Sequence, residues 1–216
     1  MQVDIQKVEP DETTFIRLDE VVHKDDVEKI HDTFMDCQFP WHYNDVTAKD
    51  SELGLDFVKD TPQFTHTLID SISNPGVPLS MYASMAEVVV DSLKQNTQTP
   101  IIGVERVKAN MLLPQYGWNR SWCNMPHVDK NDDRKSDCNF VSVVYYVNDS
   151  DGDTVFFNKW YGQEGTDDEF PLRIVTQVRP RKGSLIMFNS NRYHASSPPV
   201  DFQRRVVLNM VLKVGH

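Results

Sequence analysis

Val141-Ser142-Val143-Val144-Tyr145-Tyr146-Val147-Asn148-Asp149-Ser150-Asp151-Gly152-Asp153-Thr154-Val155-Phe156-Phe157 reads as a strand, a turn and a second strand. Both flanking runs are rich in the β-branched and aromatic residues that suit a pleated surface. Asn148 to Gly152 consists of turn formers alone, so the two runs cannot be one helix. The same grammar extends outward on both sides. Candidate strands fall at about 103–113, 121–129, 139–148, 153–158, 172–178, 184–189, 192–196 and 204–213. The breakers between them include Pro114-Gln115-Tyr116-Gly117, Pro180-Arg181-Lys182-Gly183 and Ser197-Pro198-Pro199. About eight short strands at this spacing predict a double-sheet jelly roll.

The first half reads differently. Val27, Ile30 and Phe34 recur at helical spacing over about residues 25–36, with Asp25 and Glu28 forming a capping box at the start. A second helix is predicted from about Ser80 to Lys94, with Met81, Met85, Val88 and Val89 on one face. Phe39 to Pro78 reads as a long loop, the kind that covers a site. The expected fold is mainly β (α+β): one domain over 1–216, with a helical and loop region (1–100) packed outside a core at 101–216.

A length of 216 residues is enough to bury a sizeable core, and 39% hydrophobic and 25% charged content is that of a globular protein. No apolar run approaches the ~20 residues of a membrane helix, and Met1-Gln2-Val3-Asp4-Ile5 lacks the features of a signal peptide. Cys37, Cys123 and Cys138 are odd in number and unlike a zinc motif, which favours a reducing, cytoplasmic setting. A net charge of −10 disfavours nucleic acid as a partner. The charge is uneven, however. Residues 173–205 hold seven basic residues against Asp201, a local +6 that leaves −16 for the rest. Those cations either occupy solvated edges or draw an anionic ligand toward His194.

Two His-x-acid triplets occur, His23-Lys24-Asp25 and His127-Val128-Asp129, where 7 His and 32 acidic residues in 216 predict about one by chance. Context separates them. The first opens a helix, on which positions i and i+2 do not face each other. The second lies in strand-like sequence, where i and i+2 share a face and can share an ion. With His194, this gives two histidines and a carboxylate, the ligand set of non-haem Fe(II) oxygenases, which leaves the opposite positions on the metal open. Arg204-Arg205 opens the last strand; neighbours on a strand face opposite ways, so one of them looks inward and can clamp a carboxylate.

The ordered set is longer than these residues. His127-Val128-Asp129 is followed by Val144-Tyr145-Tyr146-Val147-Asn148, Asp151-Gly152-Asp153-Thr154-Val155-Phe156 and Gly183-Ser184-Leu185-Ile186-Met187-Phe188. Tyr193-His194 and Arg205-Val206-Val207-Leu208-Asn209-Met210 complete it. Over about 110 residues, Val104 to Val214, this resembles the Fe(II)/2-oxoglutarate-dependent oxygenases, in particular the prolyl-hydroxylase-like branch. The resemblance implies a double-stranded β-helix core, with His127, Asp129 and His194 as metal ligands. Arg205, with Arg204 in reserve, would pair with the distal carboxylate of 2-oxoglutarate, and Tyr146 would hydrogen-bond the same group.

The implied cofactors are Fe(II) and 2-oxoglutarate, with O2 as cosubstrate and ascorbate as a supporting reductant. The implied reaction is hydroxylation of a C–H bond in a prolyl residue or small molecule, coupled to formation of succinate and CO2. Two departures stand out. Leu113, not tyrosine, precedes Pro114, so the contact that tyrosine makes beside 2-oxoglutarate is either lost or supplied by Asn110. Val211 and Met210 occupy the positions where relatives that repair alkylated nucleic acid carry a second arginine. Trp118, Trp122 and Trp160 flank the site in sequence and are candidates either for its mouth or, equally, for core packing. A cupin-like metal protein without 2-oxoglutarate, and an inactive binding module, remain alternatives; neither needs the arginine clamp. Residues 39–78, 114–126 and 159–171 are the candidate covering loops.

Overall fold

In a computed structural model, the described residues are 15–48, 55–131, 139–162 and 171–215. Ten strands and two helices alternate in the order β1 (Ile16–Leu18), α1 (Lys24–Met35), β2 (His42–Asn44), β3 (Gln63–Asp70), α2 (Ala83–Asn96) and β4 (Ile101–Leu112). There follow β5 (Phe140–Tyr146), β6 (Thr154–Trp160), β7 (Ile174–Val178), β8 (Leu185–Asn189), β9 (Arg192–Ser196) and β10 (Arg205–Val214). They form a major sheet ordered β1-β8-β5-β10-β4-β3-β2 and a minor sheet ordered β7-β6-β9. Every pairing between these strands is antiparallel. This is the expected double-stranded β-helix.

The central strands have two useful faces. Along β5, Val141, Val143 and Tyr145 pack outward with Val206, Leu208, Met210 and Leu212 of β10. The same cluster takes in Ile30 and Phe34 of α1 and Met85, Ala86, Val89 and Leu93 of α2, so the helices lie on the outer face of the major sheet. The alternate residues look inward: Val144, Tyr146, Ile186, Phe188 and Val207 meet Phe156 and Val178 of the minor sheet. Arg205 and Asn209 share that inward parity with Val207, and each lines the interior. Among the described residues, no helix is long and apolar enough to cross a membrane.

Several expectations need correction. Residues 39–78 are not one long loop, because β2 and β3 add two strands to the major sheet. Phe64, His66 and Leu68 of β3 alternate with Thr65 and Thr67, a period-two signal diluted by its polar residues. The expected strand at 121–129 does not form a ladder. It makes isolated bridges, Val58 with Cys123 and His127 with His194, interrupted by Pro126, which has no N–H to donate. Helix α1 begins one residue early, and His23 rather than Asp25 is its N-cap, its Nδ1 accepting from Asp25 N at 3.3 Å. Asp25 and Asp26 instead sit in the first turn, where negative charge suits the helix dipole. Met81 precedes α2 and is exposed.

Gly152 ties the 148–154 turn to the segment before β10. A Cβ there would strike Ser197 O and come within 2.9 Å of Pro198 C. Asp151 beside it accepts from the backbone N–H groups of Val200 and Asp201 at 3.0 Å each, and from Arg120 Nη1 at 2.9 Å. Gly152→Ala should therefore destabilise the fold by about 1–3 kcal/mol, the usual range for overpacking. Urea denaturation checks this, and an unchanged midpoint would mean that the turn can move aside.

Candidate metal centre and its two chambers

The geometry of the site begins with a backbone pair. His127 N donates to His194 O and His194 N donates to His127 O, both at 2.9 Å. Residues directly opposite in such a pair project to the same side, and the two imidazole centroids are 4.6 Å apart. Each ring is oriented in the same way. His127 Nδ1 lies 3.0 Å from Met125 O and His194 Nδ1 lies 3.0 Å from Arg192 O. A carbonyl can only accept, so each Nδ1 carries the proton and each Nε2 is left with its lone pair.

Asp129 completes the cluster. Its backbone N–H donates to Ser190 O at 3.0 Å, and its Oδ2 lies 3.5 Å from His194 Nε2. One ligand atom from each of His127, Asp129 and His194 can be chosen so that all lie within 4.8 Å of one another. A divalent ion about 2.1 Å from each needs ligand atoms roughly 3–4 Å apart, so small side-chain adjustments close the set. The three side chains thus suit the ligand set of a non-haem Fe(II) centre.

The carboxylate is held from the other side as well. Arg106 Nη2 donates to Asp129 Oδ1 at 2.9 Å, Ser142 Oγ donates to Oδ2 at 2.6 Å and Asn209 Nδ2 reaches Oδ1 at 3.3 Å. Burial alone would raise the Asp129 carboxyl, but His194, Arg106, His127 and the Ser142 hydrogen bond hold it below the usual carboxylate range. Burial pushes His194 down to about 4, so its ring is neutral at neutral pH and ready to bind a metal. Arg106 is therefore the cation that stands beside Asp129 under ordinary conditions. Sequence reasoning missed both Arg106 and Ser142. The only signal was an arginine on the alternate, inward parity of a strand whose odd residues from Val107 onward are apolar.

Two chambers meet at this corner. The inner one runs from His127 and His194 to Arg205 and is also lined by Asn110, Val144, Thr154, Val207 and Asn209. Arg205 is 3% exposed and makes no ion pair among the described residues. Its Nε donates to Gly152 O at 2.7 Å and its Nη2 donates to Thr154 Oγ1 at 2.8 Å. Arg204 is less buried, on the opposite parity of the strand, and contributes only its carbonyl, to Asn148 Nδ2 at 3.0 Å. Tyr146 is fully buried, and its hydroxyl donates to Thr154 Oγ1 at 3.0 Å. That leaves the Thr154 hydroxyl proton for the chamber, so Thr154, to which the sequence attached no role, stands between Tyr146 and the cavity.

The outer chamber is a groove of about 590 Å³ lined by Asp129, His127, Arg106, Lys108, Asn110 and the segment from Tyr43 to Ala48. Asn110 and Asn209 border both chambers. None of the three candidate tryptophans does. Trp118 lines a separate surface cleft with Arg120 and Asp151, Trp122 packs edge-on against it, and Trp160 lies beneath the Arg192 guanidinium. The positive window is divided, with Arg173, Arg179 and Arg181 exposed. Arg192 is buried between Phe156 and Trp160 and Lys182 pairs with Glu28, leaving Arg205 as the member that faces the site. Burial pushes Cys123 up to about 12, so its thiol is inert; Cys37 is exposed, and Cys138 lies outside the described residues.

Residues 115–213 match the sequence profile of the 2OG-Fe(II) oxygenase superfamily, and this stretch carries all three candidate ligands and Arg205. No curated protein matches the full sequence. Among solved structures this chain is similar to a 2OG-Fe(II) oxygenase-family oxidoreductase of Burkholderia pseudomallei, at 13% identity over 92% of this chain and 85% of that one, with a TM-score of 0.56. It is also similar to a Trichoplax adhaerens prolyl hydroxylase complexed with a hypoxia inducible factor peptide (13%, 92% and 83%, 0.53). A third likeness is to HygX of Streptomyces hygroscopicus with nickel and 2-oxoglutarate bound (11%, 94% and 83%, 0.53). At these identities the likeness is one of fold.

A metal titration of the purified protein tests the centre. Asp129→Ala should abolish stoichiometric Fe(II) or Ni(II) binding, whereas Ser142→Ala, which removes only an orienting hydrogen bond, should weaken it about 10–100-fold. Equal affinity in wild type and Asp129→Ala would rule out the triad.

Proposed function

We propose that the protein is an Fe(II)- and 2-oxoglutarate-dependent dioxygenase that hydroxylates a C–H bond of a prolyl residue or a small molecule. The observation that carries this reading is the buried Arg205 cation, which ends the inner chamber without a carboxylate partner among the described residues. A buried charge of that kind calls for an anionic ligand. A keto acid spanning the chamber would place its distal carboxylate at Arg205 and Thr154 and its other end at the His127–Asp129–His194 corner. Arg205 keeps N–H donors beyond those spent on Gly152 and Thr154, enough for a charge-assisted pair. Tyr146 supports that clamp through Thr154, one hydrogen bond further from the cosubstrate than the resemblance implied. Burial pushes the Tyr146 phenol up to about 12, against the pull of Arg205, so it stays a neutral donor.

When bound, iron and the cosubstrate supply the oxidation, in which R–H, 2-oxoglutarate and O2 give R–OH, succinate and CO2. The protein's part is positional. His127 and His194 each hold a proton on Nδ1 against a carbonyl, which leaves Nε2 as the atom that would hold the ion. Arg106, Ser142 and Asn209 keep the Asp129 carboxylate turned to the same point. Val144 and Val207 line the inner chamber with apolar surface, which limits water around the clamp. The outer groove opens beside Asp129 and gives a substrate its approach. The Trichoplax neighbour acts on a prolyl residue, which supports keeping a prolyl substrate in view. A cupin-like metal protein without 2-oxoglutarate is disfavoured by Arg205, which it would not need.

Anaerobic addition of Fe(II) and 2-oxoglutarate should produce a metal-to-ligand charge-transfer band, and admitting air should release succinate. Asp129→Ala should show neither. A band of wild-type strength in that variant would sink the proposal. Arg205→Met should weaken 2-oxoglutarate about 100-fold, from the roughly 3 kcal/mol typical of a lost buried charge pair, while Arg204→Met should change it little. The opposite ranking would mean that β10 binds through its other face.

A further inference from the structure

The two chambers meet at a throat whose chemistry is more specific than that of either. Thr47, Gln63, Asn110, His127 and Asn209 line both chambers. Apart from His127, each carries a neutral hydrogen-bonding side chain, and most of the donors among them are already committed to the protein. Gln63 Nε2 donates to Val46 O at 3.2 Å and to Thr47 O at 2.8 Å. Thr47 Oγ1 donates to Asp60 Oδ1, and Asn209 Nδ2 donates to Asp129 Oδ1 at 3.3 Å. Carbonyls and carboxylates only accept, so these bonds fix which end of each amide is the nitrogen. The oxygens are what remain. Oδ1 of Asn110 and Oδ1 of Asn209 are enclosed without a hydrogen-bond partner. Gln63 Oε1 receives no donor among the described residues.

An amide oxygen shut away from water without a donor carries a desolvation cost, which a donor on a ligand removes. The charges beside the throat are already compensated. Arg106 is paired with Asp129, Lys108 acts on the Asp70 carboxylate, and Asp45 is exposed to solvent. The missing partner is therefore a neutral hydrogen-bond donor. A prolyl residue is a poor match, because its ring nitrogen has no N–H and its carbonyl adds an acceptor to a set of acceptors. A hydroxyl donates without bringing charge, and its own oxygen can accept from the Asn110 amide. Asn110 and Asn209 stand one diagonal step apart on β4 and β10, a separation of about 7–8 Å between backbones. That spacing suits hydroxyls on separate carbons better than one shared donor. We propose that the substrate is a neutral polyol, a sugar or cyclitol, whose hydroxyl groups donate to the oxygens of Gln63, Asn110 and Asn209 in the throat. The proposal rests on the dioxygenase reading above and selects the small molecule over the prolyl residue.

The test uses the full-length protein loaded with Ni(II) and 2-oxoglutarate, a complex that can bind substrate without turning it over. Calorimetric titrations use D-glucose, D-galactose, D-mannose, D-ribose, N-acetyl-D-glucosamine and myo-inositol, then their fully O-methylated ethers, then a blocked prolyl peptide. The ethers keep every oxygen acceptor and lose every hydroxyl donor. At least one polyol should bind, with its ether about tenfold weaker or more, the loss expected when hydrogen bonds are removed. Asn110 spends no side-chain atom on a printed protein bond, so Asn110→Leu removes only what the ligand would use. In that variant the preference for polyol over ether should fall by about tenfold, and Asn110→Thr, which keeps an oxygen, should retain most of it. With Fe(II) in place of Ni(II), the same polyol should perturb the anaerobic charge-transfer band and raise succinate release in air. If no band forms with Fe(II) and 2-oxoglutarate alone, the dioxygenase reading itself fails. If the band forms but no polyol binds, or the ethers bind equally well, the polyol inference fails and the dioxygenase reading stands. Binding of the blocked prolyl peptide alone overturns it in favour of a peptide substrate.

Discussion

The reciprocal backbone hydrogen bonds between His127 and His194 are the constraint on which the site depends. They join two stretches of sequence 67 residues apart and put both imidazoles on one side of the pair. Because the bonds are made by the backbone, the relative position of the two rings does not rest on long side chains finding each other. The carbonyls of Met125 and Arg192, each two residues before its histidine, then choose the tautomer. Position and protonation state come from the same short segments.

The major sheet supplies the rest by dividing its two faces between different tasks. Outward residues of β4, β5 and β10 are apolar and seal against α1 and α2. Inward residues at the same height form transverse rows: Asn110 pairs with Val207, which pairs with Tyr146, and Lys108 pairs with Asn209, which pairs with Val144. Each row therefore carries at least one polar group into the interior without breaking the ladder. The outer face contributes the cohesion, so the inner face is free to hold groups that would otherwise weaken a core. Arg205 illustrates the point, since it opens a strand whose outward neighbours are all buried hydrocarbon.

How much of this could be read in advance follows from which interactions are local. The turn from Asn148 to Gly152, the strands beside it and the pair His127 and Asp129 are written in adjacent residues, and the alternation of faces separates Arg205 from Arg204 once β10 is recognised. Strand β3 is obscured because its inward positions are threonines and its pattern lacks strong apolar contrast. The partners of Asp129 are invisible for another reason. Arg106, Ser142 and Asn209 come from three different strands, and only the register of those strands brings them to one carboxylate. The tryptophans show the converse, since nearness in sequence to His127 left a place at the mouth and a packing role equally open, and they line neither chamber.

The Arg106–Asp129 ion pair has a bearing on how iron is acquired. A carboxylate buried this deeply would oppose folding if it had to wait, uncompensated, for a metal. With the guanidinium beside it, Asp129 is already neutralised when the roll closes, so the apoprotein can fold before any ion arrives. An incoming ion then shares the carboxylate with an arginine that has been present from the start. Assembly of the protein and loading of its metal become separate events, with Arg106 held on Oδ1 while Oδ2 lies 3.5 Å from His194 Nε2.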